Sequence, residues 1–191
     1  MIRRVARWAL GALVTAESLA AYARYDRRTR LFYDAARRAQ ELGRPLVVIG
    51  DPDAGMHTRL IRAYGCGDVC VDLHGCPMCP VVRAADITRG PIPGLADDSA
   101  VVFVSCVLEY VRDLQAALAE IRRIAGDLDN LYIVTVQPWT LTAALYPGAR
   151  WAGIAERHVV TMAPVTTGHK LLAAGLVGGA LALALLPRDP K

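Results

Sequence analysis

The passage from Asp97 to Asp113 constrains this chain more than any other. Two acids, Asp97 and Asp98, precede a continuous apolar run from Ala100 to Val104, and a helix-period segment begins at Asp113. An unbroken Val-rich run of this length, bounded by turn residues and handed at once to a helix, reads as a buried strand of a parallel sheet. Its place in the chain makes it the fourth such strand.

The other elements follow in order. Leu46-Val47-Val48-Ile49-Gly50 reads as the first strand, ending in a turn, with a helical pattern from Met56 to Tyr64. Val69 to Leu73 reads as the second strand and Val81 to Asp86 as the third. The segment between them is shorter than the dozen or more residues a helical crossover takes, so the second helix is reduced to a loop. After the fourth strand, Asp113 is placed to cap a helix whose Leu114, Ala117, Leu118, Ile121 and Ile124 share one face, with Gly126 as its stop. Leu131 to Val136 gives a fifth strand, Trp139 to Tyr146 a short helix and His158 to Met162 a last strand. The order β-α-β-β-α-β over residues 45–138 predicts an α/β domain with a right-handed, mostly parallel, Rossmann-like sheet.

Both ends differ in character from this middle. Residues 2–42 contain no proline and a single glycine, Gly11, and close on Leu42-Gly43-Arg44-Pro45, so one helix roughly 60 Å long is predicted. Its first half, Val5 to Ala23, is apolar apart from Arg7 and Glu17, and its second half is Arg-rich. Residues 1–44 hold ten Arg and four acids, a local +6 that leaves the rest of a +4 chain at −2. A basic helix with an apolar half suits anionic lipid headgroups, at about 1 kcal/mol per cation near the surface. Nucleic acid is set aside for want of interleaved aromatics and of a known motif. Glu17 at mid-bilayer would cost about 2.5 to 3.5 kcal/mol, so the helix spans only if Glu17 meets a partner; otherwise it lies in the interface. The rival reading is a cleaved signal peptide, with Val14-Thr15-Ala16 as the cleavage site; a retained anchor is the reading taken. At the other end, Leu171 to Leu186 is free of charge and reads as a tail anchor. Its Gly175-x-x-x-Gly179 stripe and Ala12, Ala16 and Ala20 of the first helix offer small surfaces for close helix packing. The units expected are a basic membrane-associated helix, residues 1–44, an α/β domain, 45–165, and a C-terminal transmembrane helix and tail, 166–191.

Five cysteines are an odd number, and reduced thiols in a reducing compartment are the simpler expectation. That places the domain on the cytoplasmic side of a membrane. Cys66, Cys70, His74, Cys76 and Cys79 contain enough sulfur and imidazole for a tetrahedral zinc set. The irregular outer spacing favours the simpler alternative, small buried thiols packing a shortened loop.

The fourth-strand passage, ending Val107-Leu108-Glu109-Tyr110-Val111, resembles the acidic turn, strand and Val-Leu-Glu-His-Val segment of class I S-adenosylmethionine (SAM) dependent methyltransferases, with Tyr110 in place of His. The resemblance covers about half the chain. It implies a truncated methyltransferase-like domain in which Gly50-Asp51-Pro52-Asp53-Ala54-Gly55 is the cofactor turn. Gly50 matches, whereas Pro52 and Ala54 replace further glycines and Val48 replaces an acid. Asp72 matches the carboxylate that holds the ribose hydroxyls, and Asp86 the acid beside the adenine. With Ser105, the residues implied for SAM are Gly50, Asp51, Asp72 and Asp86.

No general base is identifiable, and the altered turn and lost helix lead to weak SAM binding or none. The function expected is therefore a non-catalytic, membrane-anchored subunit of a membrane assembly, without a resident cofactor. Its partners would be the bilayer and other membrane proteins. In that case side chains such as those near Pro52 and Met78 fill the pocket beside Gly50 and Asp72. The alternative is an active SAM-dependent methyltransferase on a membrane-proximal substrate, with an open cleft there.

Overall fold

The computed structural model describes residues 2–53, 64–135 and 158–160, together with Gly175, Gly178 and Gly179. A single helix, α1 (Ile2–Leu42), precedes β1 (Leu46–Ile49), β2 (Val69–Asp72), β3 (Val82–Ala84), β4 (Val101–Ser105), α2 (Leu114–Ala125), β5 (Leu131–Val134) and β6 (His158–Val160). A 3-10 turn, Leu128–Asn130, leads into β5.

The six strands form one sheet in the order β3-β2-β1-β4-β5-β6, every neighbouring pair parallel. That order is the one found in doubly wound nucleotide-binding sheets, and it reverses direction between β1 and β4. Side chains alternate across the strands, as period-2 geometry requires. Val47, Ile49, Val71, Val102, Val104, Leu131 and Ile133 meet Ala117, Leu118, Ile121 and Ile124 of α2 on one face. Leu46, Val48, Val101, Phe103, Tyr132 and Val134 meet Phe32, Ala35 and Ala39 of α1 on the other. The molecule is thus α/β with a parallel sheet covered on both sides, as its doubly buried strands demand.

Caps set the helix ends. Gly43 (φ 60°) ends α1 with its N–H donating to Gln40 O at 3.2 Å while Arg44 N–H donates to Ala39 O at 3.0 Å, the paired bonds of a Schellman motif. Asp113 Oδ1 accepts from Ala116 N–H at 2.9 Å to start α2, and Gly126 (φ 68°) closes it. Beside it, buried Glu120 accepts from Ile92 N–H and from Arg123, each at 2.8 Å, and Arg123 also donates to Asp97 and Leu95 O. This pins the approach to β4 onto α2.

One expectation needs correction. Four of the five cysteines are joined, Cys66 to Cys79 and Cys70 to Cys76, and Cys106 stands outside both disulfides. The Cα separations of 5.5 and 6.4 Å lie in the range that disulfides bridge, because the loop after β2 turns back on the segment before it. The thiol-based ground for a cytoplasmic domain falls with this. Among the described residues no helix is long and apolar enough to cross a membrane. Arg7 and Glu17 interrupt the apolar half of α1. The tail from Leu171 to Leu186 lies outside the described residues except for three helical glycines. No described atom comes within 4 Å of a Cβ built on Gly175, Gly178 or Gly179, so the small stripe packs against nothing described. The expected helices at residues 56–64 and 139–146 also lie outside, Tyr64 excepted.

Candidate functional site

In an open α/β sheet the ligand crevice lies beyond the carboxyl ends of the strands where the order reverses, here between β1 and β4. Gly50 follows β1 at that point and Ser105 ends β4. Gly50 has φ 107°, and a Cβ there would lie 2.7 Å from Ser105 O and 2.8 Å from Val107 Cγ2. The close approach that requires glycine is therefore made by the end of β4. Gly50 N–H donates to Val71 O at 2.8 Å, which ties the same turn to β2.

The structure brings Asp51 and Asp72 together and employs them internally. Asp72 Oδ2 accepts from Asp51 N–H at 3.2 Å and Oδ1 from His74 N–H at 3.0 Å, so this carboxylate caps two turns. Asp51 Oδ1 accepts from Asp53 N–H at 2.9 Å. Asp86 accepts from Thr88 N–H at 2.9 Å and Thr88 Oγ1 at 2.6 Å, and it pairs with Arg89 at 3.2 Å. The Thr88 bonds, with Arg89 beside them, hold the Asp86 carboxyl below the usual carboxylate range. Ser105 is buried. Of the two residues near which side chains are expected to fill the pocket, Pro52 is buried and Met78 is 70% exposed. Met78 instead lines a groove with Tyr25, Thr29, Phe32, Tyr33, Tyr64 and Cys66 on the α1 side of the sheet.

Several residues at this end of the sheet escaped the sequence reading. Arg28 of α1 donates through Nη2 to Cys106 Sγ at 2.9 Å and places its guanidinium 5.9 Å from the centre of the Tyr64 ring. Tyr64 donates its hydroxyl to Asp51 O at 3.1 Å and packs on Phe103 with ring centres 5.3 Å apart. Burial raises the Tyr64 phenol to about 12, against the opposing influence of Ser105 and Arg28. Cys106 has φ 53°, a left-handed conformation uncommon outside glycine. Glu109 is buried just beyond it. Arg28 carries no local signal, since it is one of many arginines in α1 and only tertiary packing singles it out.

Of the residues considered for zinc, the sulfurs of Cys70, Cys76 and Cys79 lie within 4.8 Å of one another, and Cys66 is bonded to Cys79. His74 is exposed and stands outside that cluster. No family model, curated protein or solved structure matches this chain. The fold and this site define an α/β protein with a switch-point crevice whose polar groups are largely engaged by the protein itself.

Proposed function

We propose that the chain is a membrane-associated, non-catalytic domain of methyltransferase-like, Rossmann-like form that acts as a structural or interaction subunit. One observation carries the non-catalytic part: the residues that a SAM site would present to its cofactor serve the fold. Ser105 O and Val107 fill the space beside Gly50, and Asp72 and Asp86 cap backbone turns.

Support for the membrane part comes from α1. Its described side chains that pack on the sheet all lie from Tyr25 onwards, while Val5, Trp8, Val14 and Tyr22 are exposed. An apolar, aromatic-bearing half-helix with arginines at both ends fits the membrane interface or an embedded partner better than bulk water. The tail, residues 166–191, supplies the transmembrane anchor in this reading.

Calorimetric titration of the full chain in mild detergent with SAM tests the catalytic question. No saturable heat is expected. A dissociation constant in the low micromolar range, abolished by Asp72→Ala, would restore the second reading, an active SAM-dependent methyltransferase. What favours that second reading is the position of Asp51 and Asp72 at the switch point.

A further inference from the structure

We propose that Cys66, Cys70, Cys76 and Cys79, joined here in two disulfides, form in their reduced state a four-thiolate site for zinc. The proposal is independent of the function proposed above. Two disulfides have no intrinsic reason to meet, yet these bring their sulfurs into one cluster: Cys70, Cys76 and Cys79 lie within 4.8 Å of one another, with Cys66 bound to the last. In a tetrahedral zinc–thiolate centre with Zn–S of about 2.3 Å, neighbouring sulfurs stand about 3.8 Å apart. Drawing the Cys70, Cys76 and Cys79 sulfurs from within 4.8 Å to that distance takes shifts on the order of 1 Å, and Cys66 follows through its neighbour Cys79.

The surroundings favour a metal as the alternative cross-link. Cys70, Cys76 and Cys79 are buried and constitute a small core of their own, against which Cys66 and Val82 pack. The loop between β2 and β3 has no helix, and its Leu73, Met78 and Val81 are exposed. Without a cross-link, little else would hold it. Cys76 and Cys79 sit at the two ends of a tight turn, Cys79 N–H donating to Cys76 O at 3.0 Å, which is the C-x-x-C spacing that puts two thiolates on one ion.

The chemistry balances with a dithiol reductant. Each disulfide accepts two electrons and two protons, the dithiol leaves as its own disulfide, and four thiols result. Zinc then forms four Zn–S bonds and releases the four thiol protons to solvent, giving a centre of net charge −2.

The test uses the full chain in mild detergent, reduced with excess dithiothreitol, desalted anaerobically and loaded with zinc or cobalt(II). One metal ion per chain is expected, with the thiolate-to-cobalt charge-transfer and tetrahedral bands of a four-sulfur site. The oxidised chain should bind none. Cys106→Ser and His74→Ala should each retain full loading, and Cys76→Ser with Cys79→Ser should abolish it. Because the double variant can fail to fold, the wild-type cobalt spectrum stands as the deciding measurement. A reduced, folded wild-type chain that binds substoichiometric metal, or loading lost in His74→Ala, would overturn the proposal.

Discussion

Gly50→Ala separates two reasons for a glycine at the turn after β1. The substitution places a methyl group 2.7 Å from the Ser105 carbonyl oxygen and 2.8 Å from Val107 Cγ2. The first of these is main chain at the end of a central strand, so it cannot rotate away. Gly90 provides the control, since its φ of 103° nearly matches the 107° of Gly50 while nothing lies within 4 Å of its Cβ position. Gly90→Ala should therefore report the conformational cost alone, about 1 to 3 kcal/mol. Gly50→Ala should add an overpacking cost of about 1 to 3 kcal/mol, giving a total of roughly 2 to 6 kcal/mol, a large part of the 5 to 15 kcal/mol typical of a domain. Urea unfolding followed by far-ultraviolet circular dichroism in mild detergent measures both. Equal losses at the two positions would refute the claim that β4 fills the space beside Gly50. Should Gly50→Ala cost no more than Gly90→Ala but abolish a measurable SAM affinity, the turn would belong to a ligand.

Three further outcomes are expected. Arg123, by hydrogen bonding, holds the Glu120 carboxyl below the usual carboxylate range, so this group contributes stability above its unfolded pKa of about 4.3 that is lost as pH falls through the lower folded value. Glu120→Gln should flatten the acid limb of an unfolding series between about pH 5 and 2, and an unchanged limb would remove Glu120 as its source. Gly126→Ala should destabilise strongly, because its methyl group would overlap the Asp98 carboxylate that Arg44 holds at 2.5 Å, and adding Asp98→Gly should recover part of the loss in a double-mutant cycle. Deleting residues 1–23 should leave the melting temperature of the domain within about 3 °C while reducing flotation with vesicles containing phosphatidylserine. Equal flotation would show that the apolar half of α1 is not what meets lipid.

The elements that could be read from the sequence are those fixed by local physics. Leu46–Ile49 and the first four residues of Val101–Ser105 are apolar without a break because both faces of a parallel strand are covered, and Asp113 and Gly126 mark the ends of α2 through their own caps. The third strand is weaker, Val82–Ala84, because it lies at the sheet edge with Arg83 and Ala84 exposed. What could not be read depends on contacts distant in sequence. Arg28 reaches Cys106 across 78 positions, and no periodicity distinguishes it from Arg27 or Arg30. Cysteine pairing is likewise undetermined by spacing, since four cysteines allow three connectivities. Asp72 was legible as a carboxylate at a strand tip, but its hydrogen bonds to Asp51 and His74 are set by how the two loops fold back over it.

The sulfur cluster and the switch-point turn are separate in the sequence but share β2. Gly50 N–H donates to Val71 O at 2.8 Å, and the Gly50 carbonyl oxygen lies 4.0 Å from Cys70 Sγ. Asp72, two residues beyond Cys70, holds the next residue of the turn through Asp51 N–H. A shift of Cys70 on the order of 1 Å on reduction or metal loading would therefore be transmitted to the turn through one short strand and these contacts, because a packed interior relaxes little. It follows that loss of ligand binding in a Cys70 or Cys76 variant would not place either cysteine in a binding site, since both act on Gly50 and Asp72 through β2. Asp72→Ala keeps all four cysteines but removes the caps on Asp51 and on His74 at the start of the cysteine loop, so its effect on the crevice is read beside a folding control.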